Sequence, residues 1–104
     1  MDRLAFKMQL KEGKIADYIE RHENLWPELR SLLKSAGISE YSIFWDRETN
    51  TLFAFQKISR GGGSQELALE PIVMKWWAYM AELMEVNPDN SPISSELQEV
   101  FYLE

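Results

Sequence analysis

His22 is the only histidine in the chain, within the run Tyr18-Ile19-Glu20-Arg21-His22-Glu23-Asn24-Leu25-Trp26-Pro27-Glu28. Imidazole, with an unperturbed pKa of about 6.5, is the side chain that gives and takes protons near neutral pH. There is no cysteine, so no thiolate nucleophile or thiolate metal site is available. Proton transfer at His22 is the first chemistry to consider, against the plainer reading of a packed or surface histidine. Tyr18 lies four residues earlier on the same helix face and offers a phenol beside the imidazole. Trp76 and Trp77 are adjacent and are expected to diverge, one packing and the other facing a cavity or an edge. An indole joins flat apolar surface to an N–H, which suits the C–H face of a sugar ring and its hydroxyls. Packing alone is the alternative for either one. The run Asn87-Pro88-Asp89-Asn90-Ser91-Pro92 offers amides and a carboxylate at fixed positions, as a hydroxyl-rich ligand requires, or is simply a capped turn.

Other chemistries find little support. One histidine and no cysteine leave only carboxylates for a metal, without an Asp-x-Asx-x-Asx-Gly loop, so no metal site is expected. No Ser-His-Asp or nucleophile-elbow pattern is present, and the acidic residues show no pair that can be placed at glycosidase spacing. Gly61-Gly62-Gly63 lacks the Lys-Ser/Thr ending of a phosphate-binding loop and reads as a flexible connection over Ser59 to Ser64. Proton transfer without a covalent intermediate, metal or cofactor remains.

The elements that must hold these residues follow from periodicity. Leu4, Phe6, Met8 and Leu10 alternate with polar neighbours and predict a half-buried strand. Gly13 makes a turn. Ile15, Ile19, Leu25, Trp26, Leu29, Leu32 and Leu33 fit a helical stripe, which Pro27 kinks or restarts near Trp26. Gly37 sits where the stripe should end. Tyr41–Trp45 and Thr51–Ile58 predict an antiparallel hairpin about a polar loop. A second helix is expected from Pro71 to Met84, with Ser94-Ser95-Glu96 opening a short helical turn and Val100–Leu103 forming a final strand. The order β-α-β-β-α-β predicts an α+β, ferredoxin-like subunit with both helices on one face of a four-stranded antiparallel sheet. Phe44, Phe53 and Phe55 leave apolar surface to cover on the other face, and a second copy of the chain is the simplest cover.

One hundred and four residues bound a single domain over 1–104. A net charge of −6 leaves no electrostatic footprint for nucleic acid or an anionic membrane surface. No apolar run approaches the roughly 18 residues of a membrane span, and the alternating start does not read as a signal peptide. With no cysteine, these features lead us to expect a cytoplasmic protein.

The segments Ala5-Phe6-Lys7-Met8-Gln9, Tyr18 to His22, Trp26-Pro27-Glu28-Leu29, Lys75-Trp76-Trp77 and Asn87 to Pro92, with the ending Ser95 to Leu103, resemble the L-rhamnose mutarotase family. The resemblance runs over essentially the whole chain, and these elements in this order are specific in combination. It implies a dimeric α+β barrel of ferredoxin-like subunits that interconverts the α and β anomers of L-rhamnose. It implies His22 as proton donor and places Tyr18, Tyr41, Trp76 and Trp77 at positions that contact the sugar, with Asn87 a further candidate. The glycine-rich stretch from Ser59 to Leu69 departs from the family's more polar, often aromatic connection. Anomer exchange needs a proton on the ring oxygen and one removed from the anomeric hydroxyl. A protonated His22 is expected to supply the first, with Tyr18, a water or a carboxylate open as the base. The competing readings are a cofactor-binding dimeric α+β barrel resembling an oxygenase, with haem on His22 as one form, and a non-catalytic sugar-binding module.

Overall fold

A computed structural model describes residues 2–104; Met1, the first residue of the expected domain, lies outside them. Strand β1 (Asp2–Gln9) buries Phe6 and Met8, with Leu10 just beyond, while Lys7 and Gln9 face out, as period two requires. Helix α1 (Ile15–Glu23) carries Ile15, Tyr18, Ile19 and His22 on one stripe. It ends because Trp26 precedes Pro27: a residue before proline is driven out of the helical region, and Trp26 is extended at φ −61°, ψ 129°. Pro27 then opens α2 (Pro27–Ser35) at the first helical position, where its missing N–H has no cost. The proline therefore restarts the helix. Gly37 follows α2 at φ 90°, a conformation that disfavours any side chain, and a Cβ there would meet Ser59 Oγ at 2.7 Å.

Strands β2 (Ile38–Asp46) and β3 (Thr51–Ile58) form the expected hairpin. Helix α3 (Pro71–Met80) tightens into a 3-10 turn over Ala81–Leu83, so the apolar stripe that predicts one helix to Met84 spans two geometries. The sheet order is β2-β3-β1-β4, with every neighbour antiparallel. This is the split βαβ arrangement read from the sequence. Phe6, Met8, Leu52 and Ala54 from one sheet face share a buried cluster with Tyr18, Leu29, Val73, Trp76, Trp77 and Met80 from the helices.

Two details differ from expectation. The last strand, β4, is Ser94–Leu97 rather than Val100–Leu103, and Ser94 starts it instead of a helical turn. Its register sets Met8 opposite Ser94 and Ala5 opposite Leu97. Two residues on, Glu99 meets Arg3 in a 2.6 Å ion pair near the start of β1. The β-forming Val100–Leu103 lies outside any described strand and is exposed.

The second difference is a bulge in β2. Ser39 pairs with Lys57 and Ser42 with Phe55, so Glu40 and Tyr41 together stand opposite Gln56. Glu40 takes the left-handed φ of 46° that the extra residue demands. One inserted residue changes which parity faces inward. Ile38 is buried before the bulge, and Tyr41, Ile43 and Trp45 pack on the core after it. The outer face keeps Phe44, 67% exposed, opposite Phe53, 37% exposed.

Candidate active site

Between the helices and the inner sheet face lies a cavity of about 670 Å³, within the roughly 300–1,000 Å³ span of small-molecule sites. Its walls are mostly apolar, including Met8, Leu52, Ile43 and Met80, and its polar groups include Tyr18, His22, Tyr41, Ser64, Gln65 and Asn90. Glu23, Arg30, Lys34 and Glu40 also line it.

Tyr18 and His22 come together through the α1 stripe, with ring centroids 4.3 Å apart. His22 Nδ1 lies 3.0 Å from the Tyr18 carbonyl oxygen. A carbonyl only accepts, so Nδ1 carries a hydrogen and Nε2 is the nitrogen left for a ligand. Burial lowers the His22 pKa from 6.5, partly opposed by that backbone hydrogen bond. The resting imidazole at neutral pH is accordingly the neutral form. Burial, with Tyr41 close by, pushes the Tyr18 phenol well above its ordinary value, so Tyr18 stays protonated at neutral pH. Tyr41 is likewise raised by burial, with Ser64 and Gln56 acting in the opposite direction.

Trp76 fixes the other side of the imidazole, edge-on at 5.4 Å between centroids. It also meets Trp26 edge-on at 5.0 Å, and Trp26 stacks on Tyr79 at 5.5 Å. Arg21, one residue before His22, donates from Nη1 to the Tyr79 carbonyl at 2.5 Å and lies over the Tyr79 ring at 4.2 Å. These contacts tie α1 to α3 and set the height of His22 over the cavity. Contrary to the expected divergence, Trp76 and Trp77 are both buried, and both line the cavity. The core wraps around the cavity, so neighbours about 100° apart on α3 both meet it.

Asn87 stands apart from the other predicted site residues. It is absent from the cavity lining, and its side-chain amide donates to Ser91 Oγ at 3.0 Å and the Pro92 carbonyl at 3.4 Å. Asp89 receives the Ser91 N–H at 3.0 Å and the Ser91 hydroxyl at 2.5 Å, closing the turn on itself. Asn90, at φ 70°, and Pro92 are the loop residues that reach the cavity, Asn90 with the polar side chain. Gln56 and Ser64 escape the sequence reading as well. A signal for Gln56 does exist: it shares the inward phase of Leu52, Ala54 and Ile58, where a polar side chain needs a buried partner.

A split βαβ subunit with a single-histidine, aromatic pocket between sheet and helices is an α+β protein equipped to move protons on a small, partly apolar ligand. Its relatives make the class specific. The family model described as L-rhamnose mutarotase matches residues 3–103. Proteins named L-rhamnose mutarotase are 65% identical in Formosa agariphila and 60% in Bacteroides thetaiotaomicron, each covering 100% of both chains. One from Rhizobium johnstonii is 50% identical over 99% of this chain and 97% of its own. The crystal structure of the L-rhamnose mutarotase from Formosa agariphila matches with a TM-score of 0.91 at 60% identity, covering 100% of both chains. The chain belongs to the L-rhamnose mutarotase family.

Proposed function

We propose that this protein interconverts the α and β anomers of L-rhamnose, working as a cofactor-independent homodimer in the cytoplasm. The observation that carries the reading is His22, anchored through Nδ1 to the Tyr18 carbonyl on the wall of an aromatic cavity. The anomeric oxygen O1 and ring oxygen O5 are bonded to the same carbon, C1, so one imidazole nitrogen reaches either. Neutral Nε2 takes the O1 proton as the C1–O1 bond becomes a carbonyl and the C1–O5 pair withdraws to O5. The imidazolium hands that proton to O5, leaving His22 neutral and the sugar an open-chain aldehyde. Rotation about C1–C2 presents the other carbonyl face, and the same steps in reverse close the ring. This order starts from a neutral base, where the sequence alone suggested a protonated donor.

Acid–base help of this kind is worth about 10²–10⁴-fold, enough for a reaction that already proceeds unaided in water. Tyr18, Tyr41, Trp76 and Trp77 contact the sugar, the indoles against its C–H surface and 6-methyl group. Asn90 makes the polar-loop contact, with Asn87 holding the turn behind it. Homodimer formation is supported by the exposed Phe44 and Phe53 pair on the outer sheet face.

The test is the pH profile of mutarotation of freshly dissolved α-L-rhamnose, followed by polarimetry with the buffer rate subtracted. Because the working form of His22 is neutral and its pKa is lowered from 6.5, the catalysed rate falls only as pH drops through a value below 6.5. It holds a plateau above that, since the raised phenols of Tyr18 and Tyr41 stay protonated. The groups nearest the imidazole are Tyr18 on α1 and the uncharged Trp76 ring on α3, with Glu23 at the end of α1. A rate that falls as pH rises through 6.5 would show that protonated His22 is the working form.

A further inference from the structure

We infer that Gln56 and Ser64 are positioning residues that hold the Tyr41 hydroxyl as a hydrogen-bond donor into the cavity, aimed at the one sugar oxygen that only accepts, the ring oxygen O5. The inference rests on the anomer-exchange reading and deepens it.

The argument is a count of donors and acceptors. Gln56 is fully buried on β3. The Ser64 backbone N–H donates to Gln56 Oε1 at 3.1 Å, which settles which end of the amide is oxygen. Gln56 Nε2 therefore faces the Ser64 hydroxyl and donates to Oγ at 2.5 Å. Gln65 Nε2 donates to the same oxygen at 3.3 Å. A serine hydroxyl has two lone pairs and one hydrogen. With two amide donors on its lone pairs, Ser64 has only its hydrogen left, and its remaining partner is Tyr41 Oη at 3.5 Å. That contact is long for O–H···O, as hydrogen bonds in unliganded sites often are before a ligand tightens them. Tyr41 Oη accepts from Ser64, so the phenolic hydrogen is left for the cavity that Tyr41 and Ser64 both line.

The fold contributes two further pieces. The β2 bulge sets Glu40 and Tyr41 together opposite Gln56 and turns Tyr41 inward beside it. Gly63 lets the following turn dock on the sheet, because a Cβ there would stand 2.7 Å from Gln56 Oε1 and collide with the Leu4 side chain. The glycine-rich connection, expected to be flexible, thus ends in a buried clasp at Ser64.

Among the oxygens of a pyranose, each hydroxyl both donates and accepts, whereas O5 has no hydrogen. A residue available only as donor is matched to O5. When C1–O5 breaks, the bonding pair stays on O5, so a donor there binds more strongly in the transition state than in the ground state. Tyr41 keeps its proton throughout, and the transferred proton is the one His22 carries from O1.

The experiment is a double-mutant cycle on kcat and KM for anomer exchange, using Ser64→Ala, Tyr41→Phe and the pair. Tyr41→Phe is expected to lower kcat by about 10²-fold and Ser64→Ala by about tenfold, both with KM within about threefold. In the Tyr41→Phe background, adding Ser64→Ala should change nothing further. A Ser64→Ala loss that is undiminished without the Tyr41 hydroxyl, or one confined to KM, overturns the inference. Should Ser64→Ala not fold, Ser64→Thr against the isosteric Ser64→Val makes the same comparison, with only Thr expected to retain rate. Wild-type protein runs alongside. Its failure to accelerate exchange overturns the anomer-exchange reading, whereas an active wild type with an unaffected Ser64→Ala overturns this inference alone.

Discussion

Replacing His22 by alanine is expected to lower catalysed anomer exchange by about 10²–10⁴-fold, the range that positioned acid–base groups supply. Sugar affinity should stay within a few-fold, because the tryptophans and the Tyr18 hydroxyl remain. Two features make the effect this large. His22 is the only histidine in the chain, and the neighbouring phenols of Tyr18 and Tyr41 are held protonated by burial. The fold should survive the change, since His22 is half-buried and its hydrogen bond is to the carbonyl of its own helix. Exchange kinetics together with a ligand titration check the prediction. Full activity in a folded His22→Ala protein would remove the imidazole from the mechanism.

The second large effect falls on stability. Trp76 is 8% exposed and touches the rings of His22, Trp26 and Tyr79. Its truncation to alanine removes one of the largest side chains of the core and leaves a hole beside an existing cavity. The expected loss is about 3–5 kcal/mol, a large share of the roughly 5–15 kcal/mol that holds an ordinary domain together. Thermal denaturation followed by circular dichroism should show a drop of more than about 10 °C. Trp76→Phe should lose distinctly less, keeping a ring against Trp26. A loss under about 1 kcal/mol for Trp76→Ala would mean that the aromatic cluster rearranges freely, and that Trp76 does not set the position of His22.

Periodicity and turn chemistry carried much of this architecture at the level of sequence. Alternation in Leu4–Leu10, the helical spacing of Ile15, Tyr18, Ile19 and His22, and Gly37 after α2 all act through contacts within a few residues. What escaped depends on partners distant in the chain. The bulge that turns Tyr41, Ile43 and Trp45 inward exists only in the pairing of β2 with β3, so a count of alternating residues does not reveal it. Val100–Leu103 has strong strand propensity, yet the pairing with β1 is confined to Ser94–Leu97, and Val100–Leu103 is exposed outside any described strand. The polar loop was recognisable by composition, but composition does not separate Asn87, whose amide closes the turn, from Asn90, which reaches the cavity. Gln56 was open to inference, as a polar residue in the core phase of β3. Its partner Ser64 lies in a glycine-rich stretch that reads as linker until Gly63 is seen against Leu4 and Gln56.

The most direct measurement of the central claim is saturation-transfer NMR on the anomeric protons of L-rhamnose at equilibrium, with catalytic amounts of the protein. Irradiating the α-anomer proton should deplete the β signal much faster with protein than in buffer alone, and the added exchange should vanish in His22→Ala. Exchange no faster than buffer, with the protein shown to be folded, would contradict the account.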